Sequence, residues 1–205
     1  MKALLLIDVQ VDFFPGGALA VKRGDRILPA ISELVEMEWD LIIASKDWHP
    51  AKHHSFASTH GKKVGECVED QILWPDHCVQ GTEGAEFYPG WNTDLVNYVV
   101  YKGTSKEVDS YSAFFDNDKK RDTGLHTYLQ EQRVTELYCA GLATDYCVKA
   151  TVLDALNLGY QVFVIQDGIE AVNLKPEDGQ RALKEMQEAG ARLITLETLQ
   201  DVTAP

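Results

Sequence analysis

ELYCAGLATDYCVKATVLDALNLGYQVFVI, residues 136–165, is the stretch on which the fold turns. A nearly continuous apolar run, ELYCAG at 136–141, gives way to a segment of helical spacing, DYCVKATVLDALNLG at 145–159, and then to a second apolar run, YQVFVI at 160–165. Strand, helix, strand in that order implies two parallel strands joined by a crossover. Gly159 stands where a helix C-terminal stop belongs.

The same alternation extends in both directions. Further apolar runs lie at KALLLID 2–8, DLIIAS 40–45, YVVYK 98–102 and ARLITL 191–196. Helical patterns occupy ILPAISELVEME after the first run, TGLHTYLQEQ before ELYCAG, and PEDGQRALKEMQEAG before the last, which ends at Gly190. Strands apolar along their whole length are strands covered on both faces. The expected fold is therefore α/β: a doubly wound, mainly parallel six-stranded sheet with helices on both faces. No repeat or linker composition divides residues 1–205, so one domain is expected.

The formal net charge of −13 argues against a nucleic-acid or anionic membrane partner, since such surfaces need clustered Lys and Arg. MKALLLIDVQ is too short an apolar run for a signal-peptide core or a membrane span, and the chain reads as cytoplasmic. Charge leaves the oligomeric state open, a homo-oligomer included. Cys67, Cys78, Cys139 and Cys147 form no CxxC pair and read as reduced thiols, with Cys139 in the core.

Open α/β sheets bind ligands at the carboxyl ends of their strands. Asp8 ends the first run, Asp47 follows the second, Lys102 ends the third, and GLATDYC follows the fourth. Cys147 would lie in the first turn of a helix, where free backbone N–H groups and the helix dipole favour a thiolate. A nucleophile needs a base; no histidine stands at a neighbouring strand end, so Asp8 is the candidate, with Lys102 beside it. Residues 46–92 are polar, aromatic and without periodicity, the kind of long segment that carries function. Four of the six histidines, His49, His53, His54 and His60, lie close behind Asp47, and His77 follows. A carboxylate with several imidazoles suits zinc, and also iron or manganese, but spacing alone leaves the ligand set open.

IDVQVDF (7–13), KDWHP (46–50), WPDHCVQGT (74–82), YKG (101–103), YSAF (111–114) and GLATDYCV (141–148) together resemble the nicotinamidases, the amide-hydrolysing branch of the isochorismatase-like cysteine hydrolases. The resemblance implies a catalytic triad of Asp8, Lys102 and Cys147 that hydrolyses nicotinamide to nicotinate and ammonia through a thioester. It implies a cis peptide before Ala143, with the N–H groups of Ala143 and Cys147 as the oxyanion hole. It selects Asp47, His49, His54 and His77 as ligands of one divalent metal, preferring His54 to His53, and leaves His60 and His126 as surface or loop histidines. Phe13, Trp74 and Tyr111 match pocket aromatics. Other small amides such as pyrazinamide or an N-carbamoyl amine, and isochorismate, are the alternative substrates, the Asp47/histidine set counting against the last; a non-catalytic metal-binding module on the same scaffold is the remaining alternative, against which the intact Asp8, Lys102 and Cys147 count. EVDSYSAFFDNDKKRD at 107–122 reads as a solvated loop that shapes one wall.

Overall fold

The computed structural model describes residues 1–203. In chain order its elements are β1 (Lys2–Ile7), α1 (Leu28–Val35), β2 (Leu41–Asp47), α2 (Ala57–His60), β3 (Cys67–Val68), β4 (Gln71–Ile72), β5 (Tyr98–Lys102), α3 (Leu125–Glu131), β6 (Glu136–Leu142), α4 (Lys149–Asn157), β7 (Gln161–Glu170), α5 (Asp178–Glu188), β8 (Arg192–Ile194) and α6 (Leu196–Thr203). Six strands form one parallel sheet in the order β5-β2-β1-β6-β7-β8, and β3 and β4 form a separate antiparallel pair. All six expected strands and the four expected helices are present. Residues 46–92 are less bare than expected: they hold α2, the β3–β4 pair and short 3₁₀ turns. The strand expected to end at 165 continues to Glu170, with a register shift against β6 between Cys139 and Gly141.

The apolar runs lack obvious alternation because both sheet faces are buried. Ala3, Leu5 and Ile7 of β1 face the side covered by α3, α4 and α5, where Leu129, Val152 and Met186 meet them. Leu4 and Leu6 face the opposite layer, with Ile31 and Leu34 of α1 and Leu199 of α6. Each such leucine, wholly removed from water, contributes about 1.5–3 kcal/mol. Pro29 sits in the first turn of α1, where its missing N–H costs nothing, and Gly159 and Gly190 close α4 and α5 at φ +92° and +115°. Among the described residues no helix is long and apolar enough to cross a membrane.

Strand order positions the site. From β1 the chain moves outward to β2 and β5, then returns through α3 to β6 on the other side of β1. The switch point is thus the gap between the carboxyl ends of β1 and β6, where the sheet opens to a ligand. Gly141, paired with Ile7, closes that seam at φ +124°, and a Cβ there would overlap the Ile7 backbone. Gly141→Ala should therefore destabilise the fold by about 2–5 kcal/mol. A urea unfolding midpoint equal to that of the wild type would refute this account of the seam.

Candidate active site and metal-binding cluster

Four strand ends supply the centre. Asp8 follows β1 with φ +51°, a left-handed conformation that turns its carboxylate under the sheet edge. Asp47 closes β2 directly opposite Lys102, the last residue of β5. Cys147 lies on a π-helical turn, Thr144–Val148, that follows β6 and runs into α4, and the Leu142–Ala143 peptide before it is cis.

The Lys102 ammonium is buried among acceptors. It stands 2.8 Å from Asp8 Oδ2 and 3.3 Å from Cys147 Sγ, it donates to the Ser110 carbonyl at 3.0 Å, and it pairs with Asp47 Oδ1. Asp8 Oδ1 accepts from the Ser45 hydroxyl at 2.5 Å. Potential ligand atoms of Asp8, Asp47 and Cys147 lie within 4.8 Å of one another, and the Lys102 ammonium is in contact with all three residues.

The electrostatics separate the two acids. Burial raises both carboxyls; for Asp47 the Lys102 charge and then His49 outweigh it and hold the group well below the usual range. For Asp8 burial prevails over Lys102, the Asp47 charge adds to it, and the carboxyl is raised. Burial also works to deprotonate Lys102, but the two carboxylates hold its pKa well above normal. For Cys147 burial first, with the Asp8 and Asp47 charges, pushes the pKa well above normal against the pull of Lys102. The resting group is a thiol, and its ionisation needs a base.

Asp47 turns its second oxygen to a histidine cluster. Asp47 Oδ2 lies 3.4 Å from His49 Nε2 and 3.7 Å from His77 Nε2. His53 lies beside this group: its ring stacks on His49 with centroids 4.1 Å apart, and the donor atoms of His49, His53 and Asp109 fall within 4.8 Å. His54, the ligand that the resemblance implies, joins neither group among the described residues. His54 N–H is bonded to the Lys106 carbonyl and its ring meets that of His60, leaving it in a neighbouring acidic groove beside Glu69 and Asp70. Each clustered ring is engaged at Nδ1: His49 by the Gly103 carbonyl at 3.0 Å, His77 by the Pro75 carbonyl at 2.8 Å, His53 by the Ser55 hydroxyl at 2.7 Å. Such bonds leave Nε2 as the free nitrogen, the usual outer support of a metal-binding imidazole. The buried Nε2 atoms of His49 and His53 have no hydrogen-bond partner. Buried nitrogens so exposed to a carboxylate require a proton or a cation between them, and the donor set fits a divalent metal. The Asp47 carboxylate, overcoming burial, correspondingly raises the His49 pKa, whereas burial and then His49 lower that of His53 to about 4.

A crevice beside Cys147 joins the two centres. Phe13, Trp74 and Tyr111 line it together with Ala143, Asp47 and His77. Trp74 Nε1 donates to the Tyr111 hydroxyl at 3.2 Å. Tyr146, Val172, Leu19 and Asp109 also line it and were missed by sequence reasoning. Tyr146 carried a signal as the neighbour of the nucleophile. Asp109 carried none, since an acid in a loop rich in charge reads as solvated; it is buried, with Oδ1 4.0 Å from His49 Nε2. Cys78 is buried without touching the cluster's donors, Cys67 is exposed, and Cys139 is in the core.

Removing the central charge should leave Asp8 and Asp47 facing each other without compensation. Lys102→Met is expected to cost about 3–5 kcal/mol at neutral pH, measured by urea unfolding; an unchanged midpoint would show that the ammonium does not hold the centre.

Comparison with known proteins agrees with this geometry. The isochorismatase domain family matches residues 2–198. The nicotinamidase of Escherichia coli (strain K12) is 48% identical over 202 residues, covering 95% of each chain. The structure of PnC1 from L. infantum in complex with nicotinate superposes with a TM-score of 0.86 at 34% identity, over 97% of this chain and 94% of that one. The pyrazinamidase of Pyrococcus horikoshii in complex with zinc gives a TM-score of 0.80 at 38% identity, over 95% and 99%. A six-stranded parallel sheet with an acid, a lysine and a cysteine at its switch point, matched along almost its whole length, makes this chain a member of the isochorismatase family, on its nicotinamidase branch.

Proposed function

We propose that this protein is a nicotinamidase, hydrolysing nicotinamide to nicotinate and ammonia in the recycling of NAD, with the whole chain acting as one hydrolase domain. The observation that carries the reading is the buried Lys102 ammonium, in contact with Asp8 Oδ2 at 2.8 Å and Cys147 Sγ at 3.3 Å at the base of an aromatic crevice.

Asp8, with a raised pKa and held by Lys102 beside the sulfur, is the base. It takes the thiol proton as Cys147 Sγ bonds to the carboxamide carbon, and the carbonyl electron pair moves to oxygen. The N–H groups of Ala143 and Cys147 are the donors for that oxyanion; one such donor is worth about 10²–10³-fold in rate. Asp8 then returns the proton to the amide nitrogen, the C–N bond breaks, and ammonia leaves a thioester. Water, deprotonated by Asp8, attacks the thioester carbon, and the thiol leaves with the proton. Lys102 keeps its charge throughout and holds Asp8 against the sulfur.

Asp47, His49, His53 and His77 would hold one divalent cation, zinc first by its donor set, with iron or manganese the other candidates. When bound, such a cation supplies a Lewis-acid anchor for the ring nitrogen of the substrate. Phe13, Trp74 and Tyr111 sandwich the ring and present its carboxamide to Cys147, a positioning effect that lowers the barrier substantially. Pyrazinamide, which carries the same carboxamide on a ring with a nitrogen in the same place, suits the same site.

Purified protein should release ammonia from nicotinamide, Cys147→Ala should release none, and Asp8→Asn should fold yet accumulate no thioester in rapid-quench mass spectrometry. Ammonia release at the wild-type rate by either variant would sink its assigned role. Metal content measured by elemental analysis should fall below half in His53→Ala and stay at the wild-type level in His54→Ala; the opposite pattern would return His54 to the ligand set.

A further inference from the structure

The turn that bears Cys147 also bears a buried carboxylate that the chemistry leaves unused. Asp145 is 7% exposed. Its two oxygens accept from two successive backbone groups: the N–H of Val172 donates to Oδ1 at 2.9 Å and that of Asn173 to Oδ2 at 2.8 Å. Both residues lie beyond the end of β7, so Asp145 takes the place of a strand neighbour for their amides. Asn173, at φ +53°, in turn accepts from the N–H of Gly179 at 2.8 Å and ties the segment to the first turn of α5. Gly179 has no space for a side chain, because a Cβ would stand 2.7 Å from that of Ala171. Val172 is the consequence of this bracing: it lines the crevice alongside Ala143 and Cys147.

We infer that Asp145 is a positioning residue that sets substrate selectivity, by fixing the Val172 wall relative to the nucleophile so that the crevice rejects ring-substituted heteroaryl carboxamides. The inference rests on the amidase reading above. Hydrogen bonds to an ionised acceptor are among the strong ones. Here two of them run from the turn that carries Cys147 to the wall, so the wall cannot recede from the sulfur without stretching both. An apolar wall held at a set distance discriminates against one added carbon by roughly 10- to 200-fold, whereas a yielding one does not. Asp145 touches no reacting atom, and its effect belongs in KM for bulky substrates rather than in kcat for the small one.

The test compares kcat and KM for nicotinamide and a set of ring-methylated nicotinamides in the wild type, Asp145→Asn and Val172→Ala. Asparagine keeps one acceptor oxygen and turns an NH2 group toward the second amide, so one bond of the pair is lost. Both variants should relax discrimination against at least one methylated amide by about tenfold, chiefly through its KM. Amide exchange at Val172 and Asn173 should quicken in Asp145→Asn and stay slow in Val172→Ala. An active wild type with unchanged discrimination in both variants overturns the inference alone, as does an equal loss of kcat on every substrate. A wild type inactive on nicotinamide overturns the amidase reading, and the selectivity claim with it.

Discussion

A lysine ammonium taken out of water is the constraint on which this structure depends. Lys102 is buried at the end of β5, where an unpaired charge would cost several kcal/mol even after relaxation. Its pairing partners come from three other strand ends or the loops beyond them: Asp8 after β1, Asp47 at the end of β2 and Cys147 after β6. Satisfying one cation therefore draws four separate stretches of chain to a point. The juxtaposition of Asp8, Lys102 and Cys147 is assembled by the same interaction that makes the buried charge tolerable.

Asp47 links two centres because a carboxylate has two oxygens. Oδ1 pairs with Lys102 while Oδ2 faces His49 and His77. That double engagement keeps Asp47 ionised and adds to the negative field on Asp8, which rises instead. Two aspartates in one cluster thus take opposite shifts, Asp47 lowered and Asp8 raised. The backbone of Asp47 is fixed as firmly as its side chain, since Gln10 donates to its carbonyl at 2.8 Å and accepts from its N–H at 2.8 Å. On the histidine side Gly103 has a comparable role, because a side chain there would occupy the space of the His49 ring whose Nδ1 its carbonyl engages.

The pocket is built from what lies outside the sheet. Phe13 comes from the turn after β1, Trp74 from the segment beyond β4, Tyr111 from the loop after β5, and Tyr146 from the turn that carries the nucleophile. Trp74 and Tyr111 both meet Tyr146 edge-on, at 5.1 and 5.5 Å between centroids. Aromatic packing of this sort ties the mobile-looking, aperiodic parts of the chain to the rigid strand ends.

The strands, their parallel sense and the convergence of Asp8, Lys102 and Cys147 were legible in the sequence, because a strand buried on both faces is a continuous apolar run and its end is marked by the first polar residue. The histidine set was legible only in part. His53 and His54 are adjacent and chemically identical, and their different placement follows from a backbone bond from His54 to Lys106, about fifty residues away in sequence, and from the Ser55 hydroxyl that engages the His53 ring. Asp109 was hidden for the same reason, since burial of a loop acid depends on what folds over it. The raised pKa of Cys147 could not be read from its helix position, because desolvation is encoded in no local pattern. Sequence by itself determined which elements form and which reactive residues their ends present, since those follow from local periodicity and chain direction. Tertiary structure alone decided which nitrogen faces which carboxylate and which acid is shifted up and which down, since these depend on distances and dielectric set by the packing of residues remote in the chain.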